Sequence, residues 1–298
     1  MNKQFNTALI IILQLFCLVA SAKIFENKIV YGIDNRVETY NATLMEQKLA
    51  KSTAALFSNK KLIDLDTHVM VNPTSISKSI GLCKTERFHT QKNPAKCSGF
   101  LVGQDILVTA GHCITSQAQC DNTTMIFEFK VNKKSGRADT TFPKSNVFKC
   151  SKVLESKVAT GRDYAVIKLD RVVKGGVPLK YRTSGKISDN AKLTVVGHPS
   201  GLPQKIANGG KVVNNQFKSY FKTNLDTFGG NSGSAVFNSE LNIVEGILVR
   251  GAKDYDSVDC GKVVHRAPEN IIGNRTYGES VSRITDVPLL NVSIIFTK

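Results

Sequence analysis

The apolar positions of this chain fall mostly in short runs separated by turn residues. Ser98–Val102 and Ile106–Thr109 flank Gly103-Gln104-Asp105, a hairpin signal. Phe127, Phe129 and Val131 alternate with Glu128 and Lys130, the period of a half-buried strand. Tyr164–Leu169, Leu193–Val196, Ser234–Phe237 and Ile243–Val249 read as further strands. Strands this short and this close predict an all-β barrel or sandwich. Helical spacing is confined to the ends. Thr43 with Glu46 forms a capping-box pattern opening a helix to about Phe57, with Met45, Leu49 and Leu56 near one face. Glu279–Leu290 reads as a terminal helix broken before Pro288. Residues 58–80 are polar and turn-rich, as in a mobile linker.

The first 22 residues have the pattern of a secretory signal. Lys3 supplies the basic region, Ala8–Val19 the apolar core and Ala20-Ser21-Ala22 the small-residue cleavage site. No later run approaches the ~18 apolar residues of a membrane span, so no stable anchor is expected. Removing residues 1–22 takes away Cys17 and leaves Cys83, Cys97, Cys113, Cys120, Cys150 and Cys260. An even set behind an export signal points to disulfides, and no C-x-x-C pair suggests a metal. The expected organisation is a signal peptide (1–22), an N-terminal propeptide or wrapping arm (23–80), and two further units, 81–182 and 183–298.

Lys and Arg total 40 against 24 Asp and Glu, a formal charge of +16. The cations are scattered and accompany no nucleic-acid-binding motif, so the excess is expected to serve solubility, with weak attraction to anionic surfaces.

Three places carry chemistry. Thr109-Ala110-Gly111-His112-Cys113 puts a histidine just after a strand, and Arg162-Asp163 puts an acid at the opening of another. Gly229-Gly230-Asn231-Ser232-Gly233-Ser234 surrounds a serine with glycines. Singly, each has a plainer account: a packed histidine, a turn aspartate, a loop. Together, in the order His, Asp, Ser, they form a constellation that could activate a hydroxyl nucleophile.

Over Cys97–Gly251 the chain resembles the trypsin/chymotrypsin superfamily of serine proteases, and more narrowly its bacterial secreted glutamyl-endopeptidase branch. The resemblance implies two six-stranded antiparallel β-barrels of the chymotrypsin fold that hydrolyse protein or peptide substrates without metal or organic cofactor; with the export signal, a secreted or periplasmic monomer is expected. His112 would be the base, Asp163 its orienting acid and Ser232 the nucleophile, with Gly230 and Ser232 N–H groups as oxyanion donors. The alternative is an inactive homologue that binds partners through the same cleft. Asp170 is the runner-up acid, and His68, His89, His198 and His265 lack a comparable setting.

The resemblance also implies a Cys97–Cys113 disulfide. Six cysteines allow 15 connectivities; proximity and elimination favour Cys120–Cys150 and Cys83–Cys260 among them. Two departures stand out. Asn231 replaces the aspartate that pairs with a new N-terminus in trypsin, and Phe228 stands where animal enzymes have a disulfide cysteine. Asp226, six residues before Ser232, is placed by the resemblance at the floor of the substrate pocket, favouring Arg or Lys at P1. Thr227, Leu248, Val249, Arg250 and Gly251 would complete that pocket. The wall strand lacks the histidine of glutamate-specific relatives, although Arg250 could attract an acidic side chain.

Overall fold

The computed structural model describes residues 30–159, 161–251, 253–257, 260–263, 265–267 and 278–291. The expected signal peptide and the His265 side chain lie outside what is described.

Twelve strands build two barrels. The first uses β1 (Thr53–Ser58), β2 (Cys97–Leu101), β3 (Ile106–Thr109), β4 (Thr123–Phe127), β5 (Val147–Ala159) and β6 (Arg162–Leu169). They pair antiparallel in the order β5-β6-β3-β2-β1-β4, and β4 closes back on β5. The second uses β7 (Lys192–Gly197), β8 (Lys205–Asn214), β9 (Tyr220–Thr223), β10 (Ala235–Asn238), β11 (Ile243–Arg250) and β12 (Glu279–Arg283). Its order is β7-β10-β11-β12-β9-β8, closed by β7–β8 pairing. Closure leaves neither sheet with a free edge.

One buried cluster joins Phe100, Leu107 and Ile167 of the first barrel to Val196, Ala235 and Ile247 of the second. The interface between barrels is therefore core. A separate cluster, including Leu193, Phe221, Val236 and Val281, fills the second barrel. The predicted hairpin turn falls between β2 and β3, where Val102 N–H donates to the Ile106 carbonyl at 3.0 Å.

Three sequence expectations change. The Thr43 capping box is present, with Glu46 N–H donating to Thr43 Oγ1 at 3.3 Å and Thr43 N–H to Glu46 Oε2 at 2.9 Å. Its helix, α1 (Leu44–Ala50), is shorter than expected, Met45 is exposed, and Leu56 is fully buried in β1. Barrel closure there overrides helical periodicity. The first barrel thus begins inside the segment 23–80. The supposed linker is ordered as a hairpin, Leu62–Leu65 with His68–Val71, to which Thr141–Pro143 adds a third strand. Phe57 and Phe142 pack edge-on against Phe129 beneath it. Finally, Glu279–Arg283 is strand β12, and Pro288 begins the short helix Pro288–Asn291. The strand also puts Glu279 in the wall of a pocket.

Candidate active site

His112 follows β3 in a tight turn, Gly111–Cys113. A Cβ on Gly111 would lie 2.2 Å from the Lys157 carbonyl oxygen and 2.8 Å from that of Tyr164, so glycine alone lets the turn nest on β5 and β6. The Cys97–Cys113 disulfide ties the turn to β2. Asp163 sits near the start of β6, only 3% exposed. Its Oδ1 accepts the His112 N–H at 3.0 Å and its Oδ2 meets Nδ1 at 2.8 Å. The Asp163 N–H donates to Ser282 Oγ at 3.2 Å, so β12 of the second barrel braces the acid. Burial alone would raise the Asp163 carboxyl, but the His112 hydrogen bonds and charge, with Arg250 beyond, outweigh it and hold it below its usual range. An ionised Asp163 keeps the proton on Nδ1 and leaves Nε2 as the basic edge. The imidazole is 39% exposed.

Ser232 lies in the turn between β9 and β10. Gly230 has φ +91° and Gly233 φ +87°. A Cβ on Gly230 would be 2.6 Å from the His198 carbonyl oxygen, and one on Gly233 2.1 Å from that of Ser98. Most backbone groups of the turn are engaged. Gly229 N–H donates to Asp254 Oδ2 at 2.8 Å, Asn231 N–H to the Phe228 carbonyl at 2.9 Å and Gly233 N–H to the Leu248 carbonyl at 2.7 Å. Ser98 of β2 uses every polar atom here. Its N–H donates to the Ser232 carbonyl (2.8 Å) and its hydroxyl to the Gly230 carbonyl (2.8 Å), while Oγ accepts the His198 N–H (2.9 Å) and its carbonyl the Thr109 hydroxyl (2.7 Å). Among the described residues, the N–H groups of Gly230 and Ser232 alone in this turn's Gly229–Ser234 run have no acceptor. Two free donors on alternate residues are what an oxyanion requires.

The Cys113 sulfur lies 3.7 Å from the Ser232 carbonyl oxygen, bringing the histidine and serine turns together. Ser232 Oγ and His112 Nε2 make no hydrogen bond to each other, a looseness common before substrate arrives. Cys97, His112 and Cys113 cluster within 4.8 Å, but both sulfurs are spent in the disulfide and offer no thiolate to a metal.

A family model described as a trypsin-like peptidase domain matches residues 97–247, from the start of β2 into β11. The chain belongs to the trypsin-like peptidases. It is 30% identical over 190 residues to secreted RxLR effector protein 73 of Plasmopara viticola, covering 57% of this chain and 44% of that one. It is 26% identical over 220 residues to the glutamyl endopeptidase of Bacillus licheniformis, covering 70% and 65% respectively. The matches thus span less than two thirds of either relative. Among solved structures, a Glu endopeptidase in complex with MPD aligns over 76% of this chain and 89% of its own, at 17% identity and a TM-score of 0.47. A serine-to-alanine mutant of an M. tuberculosis protease, in its inactive form, aligns at 11% identity and 0.46, over 87% and 93%.

In this trypsin-like peptidase the pocket beside the serine, about 440 Å³, is lined by Ser232 together with the expected Thr227, Leu248, Val249, Arg250 and Gly251. Asp226 is not among its lining. Its carboxylate accepts the N–H groups of Tyr31 (2.8 Å) and Asn35 (3.0 Å), and burial raises it to about 6. The placement at the pocket floor is thereby corrected: Asp226 fastens an N-terminal arm. Glu279, missed because its segment read as helix, takes the wall instead. It is 1% exposed, accepts the Thr227 hydroxyl at 2.5 Å and the Tyr31 hydroxyl at 3.1 Å, and fills the space a Gly251 Cβ would need.

The arm also reaches Phe228, whose ring lies 3.7 Å beneath the Arg36 guanidinium and packs on Val30. Asn231 is buried, with Oδ1 accepting the Ser234 hydroxyl at 3.4 Å. Cys120–Cys150 and Cys83–Cys260 are bonded. His198 is buried, lowered to about 3 by desolvation, and stacked on Phe129. The His68 and His89 rings hydrogen-bond locally, to the Thr67 hydroxyl and the Glu86 carbonyl, and Asp170 pairs with Arg171. A larger cavity, about 600 Å³, lies on the first barrel between Leu62, Val69 and Arg171, and contains none of the constellation.

Proposed function

We propose that this chain is an exported serine endopeptidase working through an acyl-enzyme. The observation that carries the proposal is the double hydrogen bond from His112 to the Asp163 carboxylate, facing a serine turn with two unspent N–H donors. Ser232 Oγ attacks the scissile carbonyl carbon as its proton passes to His112 Nε2. The carbonyl electrons move onto the oxygen, which the Gly230 and Ser232 N–H groups stabilise. Collapse breaks the C–N bond, and His112 returns the proton to the leaving amine. Water then repeats the sequence and frees the acid. Asp163 steadies the imidazolium throughout.

The P1 preference proposed is Arg or Lys, supported by the Glu279 and Asp254 carboxylates in the lining of the pocket, whose oxygens can accept charge-assisted hydrogen bonds from a cationic side chain. Export is supported by the N-terminal pattern and by three disulfides, which persist in oxidising compartments. A fluorophosphonate probe tests the reading: it should label wild-type protein at Ser232 and spare Ser232→Ala. Failure to label folded wild-type protein would leave the inactive, partner-binding homologue as the better account.

A further inference from the structure

A second, smaller pocket of about 130 Å³ adjoins the first, lined in part by Asp163, Tyr220, Lys222, Arg250, Ser280 and Ser282. Both pockets share Val249 and Arg250, so one stretch of β11 forms a continuous wall from Ser232 to Asp163. The β11–β12 register shifts between Leu248 and Arg250, an irregularity that re-aims side chains beside the cleft. The two pockets differ in charge. The first sets the Asp254 and Glu279 carboxylates against Arg250 and Lys253. In the second, the Asp163 carboxylate is taken up by His112, and Lys222 feels the field of Glu279. The Arg250 side chain is exposed, and its guanidinium makes no hydrogen bond or close ion pair among the described residues, although its charge acts on Asp163.

We propose that this second pocket is a substrate subsite for an acidic side chain on the acyl side of the scissile bond, at P2–P4, with Arg250 as its specificity-determining residue. An Asp or Glu carboxylate would gain a charge-assisted hydrogen bond from the guanidinium, with the Tyr220 and Ser280 hydroxyls as further donors. The substrate class is then a peptide with an acid shortly before a basic P1 residue. The inference rests on the reading of the cleft as a peptidase site.

The test digests a library of defined peptides with the full secreted chain and sequences every cleavage site, alongside Arg250→Gln and Arg250→Glu, each normalised by fluorophosphonate-titrated sites. Wild-type enzyme should favour Asp or Glu over Ala at one of P2–P4 by about fivefold in kcat/KM, the scale of an exposed ion pair. Arg250→Gln should flatten that preference, and Arg250→Glu should turn it toward Lys. No acidic preference at P2–P4, a preference on the leaving-group side only, or one that survives Arg250→Glu overturns the proposal. Absence of both labelling and cleavage in wild-type protein would instead strike the peptidase reading itself, and a non-basic P1 would strike only the role given to Glu279.

Discussion

The two barrels hold their parts of the site by different means. In the first, His112 and Asp163 flow from paired strands: Thr109 of β3 faces Ala165 of β6, and a disulfide ties the histidine turn to β2. Their geometry follows from sheet register. In the second, Ser232 rides on a turn held from outside, by Ser98 of the first barrel, by Asp254, and by an arm fastened at Asp226 and Phe228. The His112–Asp163 pair is built in, whereas Ser232 is held in place by neighbours. Asn231 sharpens this contrast, because an uncharged side chain cannot supply the ammonium–carboxylate lock of trypsin.

The sharpest test of the contrast removes chemistry from the held turn without disturbing it. Ser232→Ala should lower kcat/KM by at least about 10⁴-fold, since members of such a triad act as a unit. Stability should change by less than about 1 kcal/mol, measured by denaturant unfolding. Next, Gly230→Ala forces a side chain into positive φ and against the His198 carbonyl. Activity should fall roughly 10²–10³-fold through loss of an oxyanion donor, with active-site titration separating this from unfolding.

On the first-barrel side, replacing Cys97 and Cys113 with Ala should cost about 3 kcal/mol, the scale for a loop of some 15 residues, read as a lower unfolding midpoint. The smallest effect belongs to the arm. Asp226→Asn leaves one of two backbone donors facing an amide and should cost about 1–3 kcal/mol while P1 preference stays unchanged. A loss of selectivity for basic P1 would return Asp226 to the pocket. The sign with pH is fixed. Because the folded carboxyl is raised to about 6, its stabilisation is complete below the unfolded value near 4 and is lost as pH rises through 6. The gap between wild type and Asp226→Asn should therefore narrow from pH 4 to pH 7.

Much of this was legible because the signals are local. The hairpin at Gly103-Gln104-Asp105, the glycines around Ser232 and the acid opening β6 each depend on a few adjacent residues. What escaped depends on distant ones. β5, with the polar run Lys149 to Lys157, reads as no strand until β4 and β6 flank it. Thr53–Ser58 follows a genuine helix cap and was absorbed into that helix, although barrel closure claims it. Glu279 opens a stretch, Glu279–Leu290, that reads as a helix by itself, and only pairing with β9 and β11 decides for a strand at its start. Asp226 shows the converse. Its spacing from Ser232 matched a pocket floor, but the backbone N–H groups that occupy it lie some 190 residues earlier.

Ser98 gives the architecture a temporal meaning. It belongs to a strand of the first barrel, yet its hydroxyl and amide fix the two carbonyls that bracket the Ser232 turn. Until the barrels dock, those carbonyls lack their Ser98 partner. A newly made chain with either half still unfolded therefore carries Ser232 without the contacts that shape its turn. On the reading proposed above, the shaped serine turn arrives last, with the docking of the two barrels, so the order of assembly itself delays any activity.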